Sequence, residues 1–136
     1  MLITIPAETQ ANERRTALVP DSVKKLVKAG FDVTIESNCG TQSGFSDQEY
    51  VDAGANVGSS RDEVLSTGDI VLRVRKPSLE EVGKLKSGAI HVSYLDPYNE
   101  GELIDAMAAQ GVSAISMEMV PRTTRAQKMD ALSSQA

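Results

Sequence analysis

This chain of 136 residues has no tryptophan, one cysteine and one histidine. Cys39 cannot form an intrachain disulfide, which fits a reducing compartment. Because there is no second histidine and no paired cysteine, we expect neither a zinc site nor a cysteine–histidine nucleophile. His91 falls inside a strand-like run, and we expect it to be structural. We therefore assign no metal-binding and no catalytic residue.

Long apolar stretches and basic runs are also missing. No segment approaches the roughly 20 apolar residues of a membrane span, and the first ten residues lack the features of a signal peptide. The formal net charge of -5 argues against nucleic acid or an anionic membrane as the main partner. We expect one domain with its own core and no direct membrane insertion by this chain.

The sequence also lacks a glycine-rich phosphate-binding turn. No G-x-G-x-x-G follows any strand-like run, and Gly40, Gly44 and the Gly54–Gly58 pair fit neither that fingerprint nor the Walker pattern. The chain therefore lacks the usual seat for a pyrophosphate.

What the sequence does contain is a regular alternation of strand-like and helix-like segments. This order predicts an α/β fold: a doubly wound, mostly parallel sheet, flavodoxin- or Rossmann-like but without its own glycine fingerprint. The strand-like runs are short and β-branched, and they span 2–5, 31–36, 69–74, 89–95 and 113–119, with a weaker one at 55–57.

Helix starts and ends carry their own signals. Pro20 and Asp21 predict the first helix, with Gly30 as its stop. Four later helices begin with a small polar residue followed three positions on by glutamate. The pairs are Ser46 with Glu49, Ser60 with Glu63, Ser78 with Glu81, and Asn99 with Glu102. We interpret the serine pairs as capping boxes and Asn99 as an N-cap; Gly54, Gly68 and Gly111 mark three helix ends.

Polar residues follow the strands at the carboxyl edge of this sheet, where ligands bind in such folds. They lie in the Arg14–Arg15 loop and in the turns at 75–77, 96–97 and 121–122. Arg15 could clamp a carboxylate, or it could form a surface ion pair with Glu8 or Glu13. Arg75 and Lys76 have the same two interpretations.

The last fifteen residues have a helical composition. Because a step of three falls about 60° short of a full turn, Gln127, Asp130 and Ser133 share a broad face, with Arg122 just before it. A guanidinium, an amide, a carboxylate and a hydroxyl suit a ligand with a carboxamide and vicinal hydroxyls, such as nicotinamide riboside. The alternative is the polar face of a solvated helix.

Several segments resemble the alanine dehydrogenase and proton-translocating transhydrogenase family, and the resemblance covers essentially the whole chain. Its most specific part is the closing block, which resembles the Arg–Gln–Asp segment of the transhydrogenase NAD(H)-binding component. The segments are Ile5-Pro-Ala-Glu-Thr9, Asn12-Glu-Arg-Arg15, Ala17-Leu-Val-Pro20, Leu26-Val-Lys-Ala-Gly30, Asp52-Ala-Gly-Ala55, Asp69-Ile-Val-Leu72, Met117-Glu-Met-Val-Pro-Arg122, Arg125-Ala-Gln127 and Met129-Asp-Ala-Leu-Ser-Ser-Gln135.

The resemblance implies a cofactor and partners. Arg122, Gln127, Asp130 and Ser133 would contact the nicotinamide end of NAD(H). NADP(H) would bind to a partner component, and a membrane component would carry protons. A homodimer is expected, located in the cytoplasm and peripheral to the inner membrane through its partners. Residues 1–136 would be the N-terminal domain, ending in the start of an inter-domain helix, and the NAD-binding Rossmann subdomain would follow Ala136.

Two other functions stay open at this point. An alanine dehydrogenase would use an arginine, a lysine and a histidine at three carboxyl-end turns, but Arg15, Arg75 and Asp96 stand there. Arginine is effectively never deprotonated and aspartate has no imidazole, so amino-acid oxidation is disfavoured. A non-catalytic assembly module, whose end helix docks a partner, is the third hypothesis.

Overall fold

The computed structural model describes residues 1–97 and 99–119. Its six strands are β1 (Leu2–Ile5), β2 (Asp32–Ile35), β3 (Asn56–Val57), β4 (Ile70–Arg75), β5 (Ile90–Tyr94) and β6 (Ser113–Ser116). Its five α-helices are α1 (Pro20–Lys28), α2 (Asp47–Asp52), α3 (Arg61–Thr67), α4 (Leu79–Val82) and α5 (Gly101–Gln110). Single 3-10 turns cover Thr41–Ser43 and Met117–Met119.

The strands form one sheet in the order β3-β2-β1-β4-β5-β6, and every pairing among the described strands is parallel. The predicted α/β class is therefore confirmed. The order is that of the dinucleotide-binding Rossmann fold and not that of flavodoxin. β2 and β3 are added on one side of β1, whereas β4, β5 and β6 are added on its other side. The order in which strands are added therefore reverses between β1 and β4, and this position is the switch point of the sheet.

Two apolar clusters form the core, one on each side of the sheet. The first joins β1 and β2 to α1 and α2 through buried residues such as Ile5, Val23 and Tyr50. The second joins β4 to α3, α4 and α5 and includes Val71 and Met107. Because alternate side chains of a strand point to opposite faces, each helix group covers its own face of the sheet.

The predicted serine caps are present, with one difference. Ser46 and Ser78 form complete capping boxes with Glu49 and Glu81. Ser60 accepts the backbone N–H three residues on, but Glu63 itself bonds the backbone N–H of Ser59 at 3.0 Å. This third box is only half formed, because the glutamate reaches one residue further back.

The prediction that Asn99 caps a helix is wrong. Helix α5 begins at Gly101, and its N-cap residue, Glu100, makes no side-chain cap. The Asn99 amide instead donates to the carboxylate of Asp96 at 3.0 and 3.2 Å, and its backbone N–H donates to the Asp96 carbonyl at 3.1 Å. The turn that starts at Asp96 therefore uses the side chain that would have served as the cap.

The last predicted strand is shorter than expected. It ends at Ser116, and Met117–Met119 form a 3-10 turn. The Glu118 carboxylate accepts the backbone N–H of Asp96 at 3.0 Å and the Ser116 hydroxyl at 3.1 Å. The bond to Asp96 ties the chain after β6 to the end of β5.

His91 lies in β5 and is fully buried. Burial, helped by the nearby Arg73 charge, lowers its pKa to about 3, so the imidazole is neutral at physiological pH. This placement agrees with the structural role that we expected for it. Within the described ranges, no helix has the length and apolar character that a membrane crossing requires.

Tyr50 provides a test of the first core cluster. Its fully buried hydroxyl donates to the Leu18 carbonyl at 2.8 Å, which ties α2 to the segment before α1. Tyr50→Phe should lower the free energy of unfolding by about 1–3 kcal/mol, because the carbonyl loses its buried donor. Denaturant titration measures this loss. Tyr94→Phe is the control, because Tyr94 is exposed; an equal effect of both substitutions would contradict the assignment.

Candidate functional site

The switch point between β1 and β4 is occupied by a carboxylate of the chain itself. Glu8, from the loop after β1, accepts the backbone N–H groups of Val74 at 2.9 Å and of Arg75 at 2.8 Å. Burial raises the pKa of Glu8, and these two bonds work against that shift. The strand pairing of β4 with β5 shifts register between Leu72 and Arg75, next to this contact. Glu8 thus holds the end of β4 against the β1 loop.

A second carboxylate from the same loop, Glu13, holds two arginines. Arg15 donates to it through Nε at 2.9 Å and through a terminal nitrogen at 3.0 Å, and Arg75 donates through Nε at 2.7 Å. The Glu13 side chain is only 3% exposed, whereas those of Arg15 and Arg75 are 51% and 47% exposed. The buried carboxylate therefore fixes the stems of two guanidinium groups that still face solvent.

The Arg15 hydrogen bonds, assisted by Arg75, lower the pKa of Glu13 to about 2 despite its burial. Glu13 is therefore ionised at physiological pH and balances one of the two arginine charges. The second positive charge remains available to an anionic ligand.

Arg15 and Arg75 line a cleft of about 440 Å³ at the carboxyl edge of the sheet, together with Gln10, Lys76, Tyr94, Asp96 and Glu118. Arg15, Arg75 and Asp96 come from three separate turns, and the fold brings them together as the sequence predicted. Lys76 lies on the rim and pairs with Glu100 at 2.5 Å. The surface ion-pair interpretation of Arg15 is only partly right, because its partner Glu13 is buried.

The Asp96 turn closes the cleft on the β6 side. Asp96 has a left-handed backbone, with φ of 52°, a conformation that aspartate tolerates better than most residues. Its backbone N–H donates to Glu118, and its carboxylate accepts from Asn99. Glu118 could not be recognised from the sequence, because a single glutamate after a strand has no distinguishing pattern.

A second ion network joins α3, α4 and the loop after β1. Arg61 of α3 donates to Glu81 at 2.7 Å, to Glu36 at 2.5 Å and to the Ala7 carbonyl at 2.8 Å. The almost fully buried Arg73 reaches the other oxygen of Glu81 at 3.0 Å. Burial disfavours the charged form of Glu81, but its arginine partners and the Ser78 N–H outweigh it and lower its pKa to about 2.

This switch point does not fit the pyrophosphate of a dinucleotide. The backbone donors at the end of β4 are already bonded to Glu8, so they are not available to a phosphate. Helix α1 begins at Pro20, which has no backbone N–H to donate to a phosphate. We conclude that the described residues offer a cleft for a small ligand but no dinucleotide phosphate site.

The predicted nicotinamide-binding residues, Arg122, Gln127, Asp130 and Ser133, lie outside the described residues. Their role stays a prediction. The sequence analysis named Glu8 and Glu13 only as possible ion-pair partners of Arg15, and it missed the part that both residues play in holding the edge of the sheet together. The signal that could have found them is two acidic residues in a long loop directly after β1, at the edge where ligands bind.

Together, the described residues define a Rossmann-like α/β domain with a charged cleft at its switch point and no dinucleotide-binding turn. The family described as alanine dehydrogenase/PNT, N-terminal domain matches residues 4–136, and the chain belongs to this family.

Three relatives illustrate the similarity. The chain is 39% identical to NAD(P) transhydrogenase subunit alpha of Haemophilus influenzae over 136 residues, covering 100% of this chain and 26% of that protein. It superimposes on the transhydrogenase from Sinorhizobium meliloti with a TM-score of 0.88 and 45% identity, covering 99% of this chain and 40% of that one.

The third relative is an L-alanine dehydrogenase, with a TM-score of 0.85 and 34% identity over 92% of this chain and 34% of that one. The chain therefore spans well under half the length of these relatives.

Glu13→Gln tests the cleft. The carboxylate has a pKa of about 2 in the folded chain, below the ordinary value near 4.3, so its stabilising effect is present above pH ~4.3 and lost as pH falls toward 2. The substitution should lower the free energy of unfolding at pH 7 by on the order of 1–2 kcal/mol, since the half-exposed arginines are screened by solvent. Unfolding measured from pH 7 to pH 3 should show this difference shrink.

Glu80→Gln is the matched control, because Glu80 is exposed and lies outside the cleft. A Glu13→Gln deficit that stays constant between pH 7 and pH 3 would argue against an ionised, arginine-paired Glu13.

Proposed function

We propose that this chain is the first domain of the NAD(H)-binding component of a proton-translocating transhydrogenase, which transfers hydride between NAD(H) and NADP(H). The observation that carries the proposal is the set of residues that line the charged cleft. Arg15, Arg75 and Asp96 meet there, in the positions where the resemblance to alanine dehydrogenase calls for an arginine, a lysine and a histidine. Arg75 cannot give up its proton, and it is tied to Glu13.

Hydride transfer between two nicotinamides needs no acid or base from this domain. The bound nucleotide supplies the hydride chemistry, and the protein orients it and excludes water. A cleft held by buried carboxylate–arginine contacts is suited to positioning, because its side chains are fixed before a ligand arrives. We accordingly assign the cleft a positioning role and no catalytic residue.

The binding site for the nucleotide would be divided between two units. Arg122, Gln127, Asp130 and Ser133 offer the donors and acceptors that suit a carboxamide and ribose hydroxyls. The pyrophosphate would lie on a following nucleotide-binding unit, since Glu8 takes the donors at the switch point here. NADP(H) would bind to a partner component, and a membrane component would move protons. The domain would act as a homodimer in the cytoplasm, attached to the inner membrane through those partners.

Titration with NADH tests the division of the site. Residues 1–136 alone should bind NADH weakly or not at all by calorimetry, because the phosphate site lies elsewhere. Joining them to the nucleotide-binding unit of a transhydrogenase alpha subunit should restore binding. Micromolar binding by residues 1–136 alone would contradict the proposed division.

The proposed nicotinamide contacts are tested in that joined protein. Arg122→Ala or Asp130→Asn should each raise the NADH dissociation constant about tenfold or more, since a hydrogen bond to a charged group is worth about 1.5–3 kcal/mol. Lys128→Gln is the control in the same segment. Unchanged affinity in both test variants would show that the site assignment is wrong. Alanine-dependent formation of NADH by the joined protein would instead favour an alanine dehydrogenase.

A further inference from the structure

The charges that line the cleft are divided between its two sides. Arg15 follows β1 and Arg75 ends β4, whereas Asp96 follows β5 and Glu118 follows β6. Because these strands lie in the order β1-β4-β5-β6, the arginines stand on one side of the cleft and the carboxylates on the other. The cleft therefore has a cationic side and an anionic side.

The cationic side is largely balanced by the chain itself. The Glu13 carboxylate bonds Arg15 at 2.9 Å and Arg75 at 2.7 Å, and it neutralises one of their two charges. Lys76 is paired with Glu100 at 2.5 Å. Only one positive charge on this side is thus left without a counter-charge among these groups.

The anionic side has no such compensation within the described part of the chain. No lysine or arginine there forms an ion pair with Asp96 or Glu118. Both carboxylates accept hydrogen bonds only from neutral donors, which are the Asn99 amide, the Asp96 N–H and the Ser116 hydroxyl. The β5 and β6 side of the cleft therefore carries two uncompensated negative charges.

Asp96 is also the most firmly held of the two carboxylates. Its backbone N–H donates to Glu118 at 3.0 Å, its carbonyl accepts the N–H groups of Asn99 and Glu100 at 3.1 Å each, and its carboxylate accepts the Asn99 amide. These bonds keep it in its left-handed backbone, which persists only where neighbouring groups fix it. A charge fixed in this way acts on a ligand without first being reoriented.

Tyr94 provides a surface for a planar cation beside this charge. It lies opposite Arg75 in the pairing of β4 with β5, it lines the cleft, and it is 43% exposed. The face of an aromatic ring attracts cations, and so does a carboxylate a few ångströms away. The two redox states of nicotinamide differ in this respect, because the oxidised ring carries a positive charge and the reduced ring is neutral.

We propose that Asp96 is a specificity-determining residue that favours the oxidised, cationic nicotinamide over the reduced ring. The inference rests on the proposed function, since it takes nicotinamide as the ligand of the cleft. When the reduced ring of NADH gives up a hydride, with its electron pair, to the oxidised ring of NADP⁺, the ring that stays behind becomes positive. Asp96 stabilises that product and thereby favours hydride release from this domain.

The ratio of two dissociation constants tests this role in the joined protein described above. Asp96→Asn keeps an acceptor for Asn99 and tolerates a left-handed backbone, so it removes the charge and little else. It should raise the dissociation constant of NAD⁺ by about five- to tenfold, and that of NADH by less than about twofold, because only the oxidised ring is charged. Calorimetric titration measures both. Asp96→Gly is a second variant that also accommodates the left-handed backbone.

Asp105→Asn is the matched control, because Asp105 is exposed on α5 and lies outside the cleft. It removes the same charge from the chain and should leave the ratio unchanged. An unchanged ratio in both Asp96 variants, or an equal loss of affinity for the two nucleotides, would overturn the inference and leave the proposed function standing. Failure of the unsubstituted joined protein to bind either nucleotide would instead contradict the proposed function, and this inference with it.

Discussion

Two carboxylates in the loop after β1 hold the carboxyl edge of this domain together. Glu8 bonds the backbone at the end of β4, and Glu13 bonds the side chains of Arg15 and Arg75. Parallel strands that diverge at a switch point leave unpaired backbone groups and an open crevice. Here the Glu8 carboxyl group takes the backbone donors at the end of β4, and the Glu13 carboxylate fixes Arg15 and Arg75 at the cleft that remains.

These contacts explain why the domain has a charged cleft but no phosphate site at the switch point. Glu8 occupies the backbone donors there, and the cleft beside it retains half-exposed arginine groups. The Arg61 network ties α3 and α4 together through mutually bonded, partly buried charges. In contrast to this charged edge, the sheet face over β4 and β5 has an apolar surface.

Much of the fold followed from local patterns, and the failures have a common cause. Ser46 and Ser78 were recognisable as caps because the residues of a capping box are three positions apart. Asn99 has the same spacing, but Asp96 three residues earlier competes for its amide. The strand that ends at Ser116 was predicted too long, since its end depends on Glu118 bonding the end of β5.

The candidate site shows the same limit. The three turns with Arg15, Arg75 and Asp96 could be assigned to one edge, because the carboxyl ends of parallel strands meet there. The partner of Arg75 could not be assigned, since Glu13 is 62 residues away in the sequence. The sequence by itself determined the α/β class, the starts of α1 to α4 and the missing phosphate turn, because these depend on patterns among residues that are near each other in the chain. Only the tertiary structure decided the Rossmann strand order, the pairing of Glu13 with two arginines and the open apolar face. These depend on which distant segments the crossovers bring together.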